Sequence, residues 1–407
     1  MRVLVSCYAC SPYKGSEPGM GWNFIKSLSS KLELHVIVES KFEEDIKRYL
    51  ESHSEEKNNI YFYFVAKERH KKLRKLWPPS YYWFYNLWQK EVYFLAKKLD
   101  AQFNFDLIHQ LNMVGYREPG YLWKLDKPFV WGPIGGFNIT PWCMLSSMGV
   151  KGMLFYGLRN IINLWQMHTK VRVKKAMRHS AQLISATQDV KNTIAKLYDR
   201  PSIIIPEVGY YGDESTPFVF HRRMDRLKLC WSGMFAPRKS LQLLLKALAL
   251  TNFAVELHVI GDGECHNRWR KLAQKLKLDN VVWHGWVDRS KCIEIMKSCD
   301  VLCITSLSDL TSTVLLEGLS YGLPVIALDH CGFSNIINEK CGIKIPIHSQ
   351  SQVISDFAKA IDVLAADERY LEQLSIGANN RAKEFGWLEK SVQIYNIYSD
   401  VLKHETI

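Results

Sequence analysis

The chain has 407 residues, 47% apolar and 12% aromatic, more than one hydrophobic core usually supports, so two domains are expected and a disordered polypeptide is excluded. A formal net charge of +12 points to anionic partners. Ten cysteines scattered singly through apolar runs, with Cys7-x-x-Cys10 lacking a second pair, read as reduced packing thiols and exclude a secreted disulfide scaffold.

The opening "MRVLVSCYACSPYKGSEPG" reaches Pro12, Lys14 and Glu17 too soon for a signal peptide, and "RVLVSCYA" reads as a first strand. A helix in "GMGWNFIKSLSSK" follows, then strands in "LHVIVES" and "NIYFYFVA", a helix from about Tyr81 to Leu99, and strands in "FDLIHQ" and "PFVWGP". Past a Pro, Gly and acid-containing stretch near 205–220 the alternation restarts. Its strands are "LKLCWSG", "VELHVIGDG", "VVWHGW", "DVLCITS" and "PVIALD", with helices in "SLQLLLKALAL", "RWRKLAQKLKL", "SKCIEIMKSC" and "TVLLEGLSYG" between them. Such series make parallel sheets with right-handed crossovers. Two doubly wound α/β domains facing across a cleft are therefore expected, over residues 1–205 and 206–385, with a final helical segment 386–407 returning to the first.

In doubly wound sheets ligands gather at the C-terminal strand ends. There, "KGSEPGMGW" places Gly15, Gly19 and Gly21 at a helix entrance where backbone can approach an anion. It does not complete a dinucleotide fingerprint, since Phe24 stands at the third glycine position, and "GDGECH" at 261–266 fails likewise with His266. Arg238 and Lys239 stand between a strand and a helix, placed to neutralise a phosphate. Asp309 and Glu317, eight positions apart, put one carboxylate in the loop before a helix and the other about one and a half turns inside it. His109, alone at the end of an apolar strand, suits a structural histidine or a ligand-facing one.

Together "ACSPYKGSEPGMGW", "FDLIHQ", "PFVWGPIGG", "WSGMFAPRKSLQLLLKAL", "VIGDGE", "VVWHGWV", "SDLTSTVLLEGLSYGLPVIA" and "FGWLEKSVQIYNIY" resemble, in this order and spacing, the GT-B glycosyltransferases of family 4 over nearly the whole chain. The resemblance implies a retaining transferase that moves a sugar from a nucleoside diphosphate to a hydroxyl of a glycan or lipid-linked acceptor, as in bacterial surface polysaccharide synthesis. It makes the acid–seven residues–acid motif Asp309 through Glu317, with one carboxylate beside the donor sugar and the other on the ribose hydroxyls. His109 would lie under the donor sugar as a third catalytic position. The donor phosphates would fall to Arg238, Lys239, Gly15, Gly19, Ser312 and Thr313, and the nucleotide to Gly261, Gly263, Gly285, Trp286 and Glu317. Two positions depart from the family pattern: the first acid is Asp rather than Glu, and Met234 replaces the arginine that follows Gly233, a cation for which Arg238 can substitute. No Asp-x-Asp occurs, so neither a metal nor another cofactor is expected.

The basic residues are unevenly placed. Lys127 to Gln188 contains no Asp or Glu but eight Lys or Arg, and "KERHKKLRK" at 67–75 precedes a run dense in Trp and Tyr. Such surfaces suit peripheral contact with an anionic membrane, here the inner face of the plasma membrane, or stacking on nucleic acid. The competing expectation is a GT-B-fold protein of little or no activity that binds RNA or polyanionic glycans.

Overall fold

The computed structural model describes residues 1–53, 59–68, 70–77, 79–210, 218–220 and 226–405. The expected domain boundary near 205–220 therefore falls partly outside the described residues, as does Arg69 of the basic cluster at 67–75. The chain forms two compact units, one of Met1–Phe137, Gln166–Gly209 and Trp387–Ile407, the other of Asn138–Trp165 and Tyr210–Gly386. Against the expected bounds, 138–165 falls in the second unit and 206–209 in the first.

In the first unit, strands β1 (Arg2–Cys7), β2 (Glu33–Glu39), β3 (Ile60–Val65), β4 (Leu107–Asn112), β5 (Phe129–Ile134), β6 (Gln182–Ser185) and β7 (Ile203–Ile204) form one parallel sheet in the order β3-β2-β1-β4-β5-β6-β7. Strands β4 and β5 are buried along their whole length, as central strands covered on both faces must be. The helix Trp387–Glu405 packs in this unit beside the helix Ser16–Leu28.

In the second unit, β8 (Leu227–Ser232), β9 (Val255–Ile260), β10 (Val281–Gly285), β11 (Val301–Ile304), β12 (Val325–Leu328) and β13 (Gly342–Ile345) form a parallel sheet in the order β10-β9-β8-β11-β12-β13. Its core is built on Trp231, Phe235, Trp269 and Phe357 with a run of leucines from the helix Leu241–Leu248. In both sheets the strand order reverses beside the first strand, between β1 and β4 and between β8 and β11. Chain leaving adjacent strands in opposite directions opens a crevice at their C-terminal ends, and both sets of motifs lie there.

Candidate functional site

On the second unit the crevice is lined by the segment after β8 and the segment after β11. The first turns sharply at Pro237–Lys239, where Leu307 N–H donates to the Arg238 carbonyl at 2.8 Å and Thr305 Oγ1 to the Lys239 carbonyl at 2.7 Å. Trp231 Nε1 in turn donates to Thr305 Oγ1 at 3.0 Å, anchoring the contact in the core. This backbone lacing holds two cations against one acid. Lys239 Nζ is 2.5 Å from Asp309 Oδ2, and Arg238 Nη1 is 3.0 Å from the Ser308 carbonyl and 3.6 Å from Asp309 Oδ1. Arg159 adds a third cation, its Nη1 donating to Ser308 Oγ at 3.1 Å.

The helix Thr313–Ser320 begins directly beyond. Ser312 is its N-cap residue, but the Ser312 side chain makes no capping bond, so first-turn N–H groups remain available to an anion. Thr313 is exposed at the same entrance. Glu317, in the second turn, is half-buried, and burial pushes its carboxyl above the ordinary carboxylate range while Arg289, with Nη2 at 3.0 Å, pulls it back. Arg289 carries no sequence signal of this role: it is the exposed first residue of the helix Arg289–Lys297.

The glycines of this unit divide in two. Gly261 has φ +128° and a Cβ there would lie 2.0 Å from the Gly233 carbonyl oxygen; Gly263 has φ +151° and faces the Phe235 carbonyl in the same way. Both are glycines because the loop after β9 presses against the loop after β8 (Gly233 to Phe235), whether or not a nucleotide is near. Gly285 has φ +69° in open space beside Trp286, a large and exposed indole. Met234, in the place of the family's arginine, is exposed.

On the first unit, Gly19 admits no side chain, because a Cβ would lie 2.4 Å from the Lys14 carbonyl, and Gly15 is the uncapped N-cap of the helix Ser16–Leu28 with open space around it. Glu17 of the same loop is occupied: its Oε1 accepts from Val114 N–H at 2.7 Å, tying this loop to the segment after β4. The expectation that His109 faces a ligand is corrected by its surroundings. Its ring is fully buried, Nε2–H donates to the Gly132 carbonyl at 2.7 Å, and Nδ1 accepts from the Tyr398 hydroxyl at 2.5 Å. Desolvation lowers its pKa to about 4, so it is a neutral ring joining β4, β5 and the last helix. The basic cluster at 67–75 also turns inward in part: Lys67 is buried over the Tyr81 ring at 3.5 Å and within 3.2 Å of the Tyr8 hydroxyl.

Among the described residues no group of three or more His, Cys, Asp or Glu is placed to hold a metal, and no helix is long and apolar enough to cross a membrane.

Two Rossmann-like units with ligand-facing loops at their switch points define the GT-B fold. Anabaena HepE in complex with UDP shares it, with a TM-score of 0.63 at 16% identity over 98% of this chain and 100% of that one. Residues 213–381 match the family described as glycosyl transferases group 1. That match lies wholly within the second unit. Among curated relatives, D-inositol 3-phosphate glycosyltransferase of Stackebrandtia nassauensis is 24% identical over 260 residues, 58% of this chain. Lipopolysaccharide 1,6-galactosyltransferase of Salmonella typhimurium is 31% identical over 98 residues, 23% of this chain. The chain spans 57% of the length of the first relative and 27% of the second.

Proposed function

We propose that this protein transfers a sugar from a nucleoside diphosphate to a hydroxyl of a glycan or lipid-linked acceptor, with retention at the anomeric carbon. The observation that carries the reading is the convergence of Arg238, Lys239 and Asp309 at the switch point of the second sheet, beside an uncapped helix entrance. Cations and helix N–H groups there suit the charge that develops on a departing diphosphate. In the reaction the anomeric C–O bond to phosphate breaks, the acceptor oxygen bonds to that carbon, and the nucleoside diphosphate and the acceptor's proton leave.

Arg238, Lys239, Ser312 and Thr313 hold the phosphates in this scheme. Glu317 accepts the ribose hydroxyls and Asp309 those of the sugar, since a carboxylate can accept two hydroxyl bonds. Gly285 and Trp286 border the base, and Gly261 and Gly263 keep that border in place. No metal or other cofactor enters the scheme. UDP is the nucleotide to test first, because HepE carries it, and the Salmonella relative, a lipopolysaccharide galactosyltransferase by name, favours a hexose donor and surface polysaccharide synthesis.

The test is a binding and slow-hydrolysis screen of the purified protein against nucleoside diphosphate sugars, with Glu317→Ala alongside. Binding of one donor that depends on Glu317, with nucleotide release, is expected. Absence of donor binding together with salt-sensitive RNA binding would replace the enzyme by a polyanion-binding protein.

A further inference from the structure

Residues 138–165 stand in the chain between two strands of the first sheet, β5 and β6, yet they pack with the second unit. Their seat there is well built. Met144, Leu145, Met148 and Tyr156 enter the second unit's core. Arg268 bonds the carbonyls of Ser147 and Met148 at 2.8 and 2.6 Å, and Gln242 Nε2 donates to the Ser147 carbonyl at 2.9 Å. Within the helix Gly149–Thr169, Gly152 lies so close to Pro237 that a Cβ would stand 3.2 Å from the proline Cβ. Buried Asn160 bonds both the N–H and the carbonyl of Thr140, at 3.0 and 2.7 Å. A helix held at Gly152 and again at Asn160 has little freedom to rotate, so the direction taken by Arg159 is set.

That direction is toward the loop after β11. Arg159 Nη1 donates to Ser308 Oγ at 3.1 Å, while Arg238 Nη1 donates to the carbonyl of the same residue at 3.0 Å. Two guanidinium groups from distant parts of the chain therefore meet at one serine, and the next residue, Asp309, takes Lys239. Tyr156, buried one turn before Arg159, lies in the field of both arginines: burial raises the pKa of its hydroxyl, and Arg238 and then Arg159 lower it. Like charges gathered at one place repel, and an anion brought among them turns that cost into attraction. The loop after β8 contributes only two cations to this place, Arg238 and Lys239. Its exposed Met234 follows Gly233, where a Cβ would lie 3.8 Å from Lys239 Cδ and Cε, and carries no charge.

We propose that Arg159 is a third donor-phosphate residue, its guanidinium binding the diphosphate of the sugar nucleotide together with Arg238 and Lys239. The assignment rests on the donor site proposed above and adds to it a residue from outside the matched region 213–381. Arginine suits the task because its planar fork can bond Ser308 and a phosphate oxygen from one side chain.

Affinities for UDP, inorganic pyrophosphate and uridine, measured on the full chain and on Arg159→Gln and Arg159→Glu, test the assignment. Glutamine removes the charge but keeps an N–H donor for Ser308, and glutamate reverses the charge. Arg159→Gln should bind UDP and pyrophosphate about tenfold more weakly, with a shallower salt dependence and uridine affinity unchanged, and Arg159→Glu should be weaker still toward the two anions. The ratio of UDP to uridine affinity within one sample cancels any loss of folded protein, so a variant that melts early is still read. Anions bound by Arg159→Gln as by wild type, or uridine weakened as much as UDP, overturn the proposal. Arg159 is then only a tie between helix and loop, and the glycosyl-transfer reading stands. A wild-type chain that binds neither UDP nor pyrophosphate removes that reading, and the role of Arg159 falls with it.

Discussion

Lys239 Nζ and Asp309 Oδ2 lie 2.5 Å apart in a partly buried ion pair, and Arg238 approaches the same carboxylate at 3.6 Å. In the proposed reaction a diphosphate arriving at these cations must compete with Asp309 for them. Removing the carboxylate's charge leaves both cations to the phosphates, whereas removing the lysine deletes a charge-assisted bond. Asp309→Asn should therefore bind UDP more tightly, by about threefold to tenfold, yet turn over sugar poorly, and Lys239→Ala should bind UDP about tenfold or more weakly. Calorimetry at two salt concentrations checks both signs. Undiminished binding by Lys239→Ala would remove it from the phosphate site.

Glu317 sets a pH dependence. Burial holds its carboxyl above the ordinary range and Arg289 lowers it, so donor binding that needs the carboxylate should weaken on acidification earlier than an ordinary glutamate, near pH 4.3, would dictate. Arg289→Ala removes the lowering influence and should move this acid limb to higher pH, while Glu317→Gln should flatten it. UDP affinity measured from pH 4.5 to 8 decides: an acid limb unmoved in Arg289→Ala would mean that another group sets it.

The long strands and the two switch-point motifs were legible because both depend on local sequence: an apolar run followed by a Gly- or cation-bearing turn reads as a strand end. Less local features were not. Strand β7 has two residues, too short to show a period against the helices beside it. The helix Gly149–Thr169 shows an apolar stripe in the sequence, but nothing there says that its Asn160 side, not its Leu158 side, is inward. His109 fails for the same reason: whether a strand-end histidine faces a ligand or a hydroxyl depends on Tyr398, 289 residues away. Arg289 meets Glu317 only through a side-chain ion pair that the folded sheet brings together from 28 residues apart.

His109 itself predicts an acid-linked loss of stability. Its folded pKa of about 4 lies below the ordinary histidine value of 6.5, so the unfolded chain binds a proton that the native ring refuses. The contribution is fully present above pH 6.5 and is lost as the pH falls toward 4, in total on the order of 3 kcal/mol for so buried a ring. His109→Gln should be less stable at pH 7.5, because a shorter-reaching amide replaces two well-placed bonds, but its stability should fall less steeply between pH 6.5 and 4. Urea unfolding at pH 7.5, 6 and 4.5 measures the difference in slope. Parallel curves for the two proteins would show that the imidazole is not desolvated as described.

Gly261 predicts how tightly the crevice loops are bound together. Its φ of +128° disfavours any L side chain, and a Cβ would stand 2.0 Å from the Gly233 carbonyl oxygen and 2.9 Å from its carbon, both backbone atoms that no rotamer change can move away. Gly261→Ala must push the segment after β8 outward, and that segment carries Arg238 and Lys239. The expected cost is about 2 kcal/mol or more of stability, accompanied by weaker UDP binding, although residue 261 offers the nucleotide no side chain. Gly15→Ala is the control, since nothing lies within 4 Å of a Cβ there and its φ of −77° suits alanine. It should unfold at nearly the wild-type temperature. If Gly261→Ala keeps both wild-type melting and wild-type UDP affinity, the loop after β9 does not support the loop after β8, and Arg238 and Lys239 must be held by Thr305 and Leu307 alone.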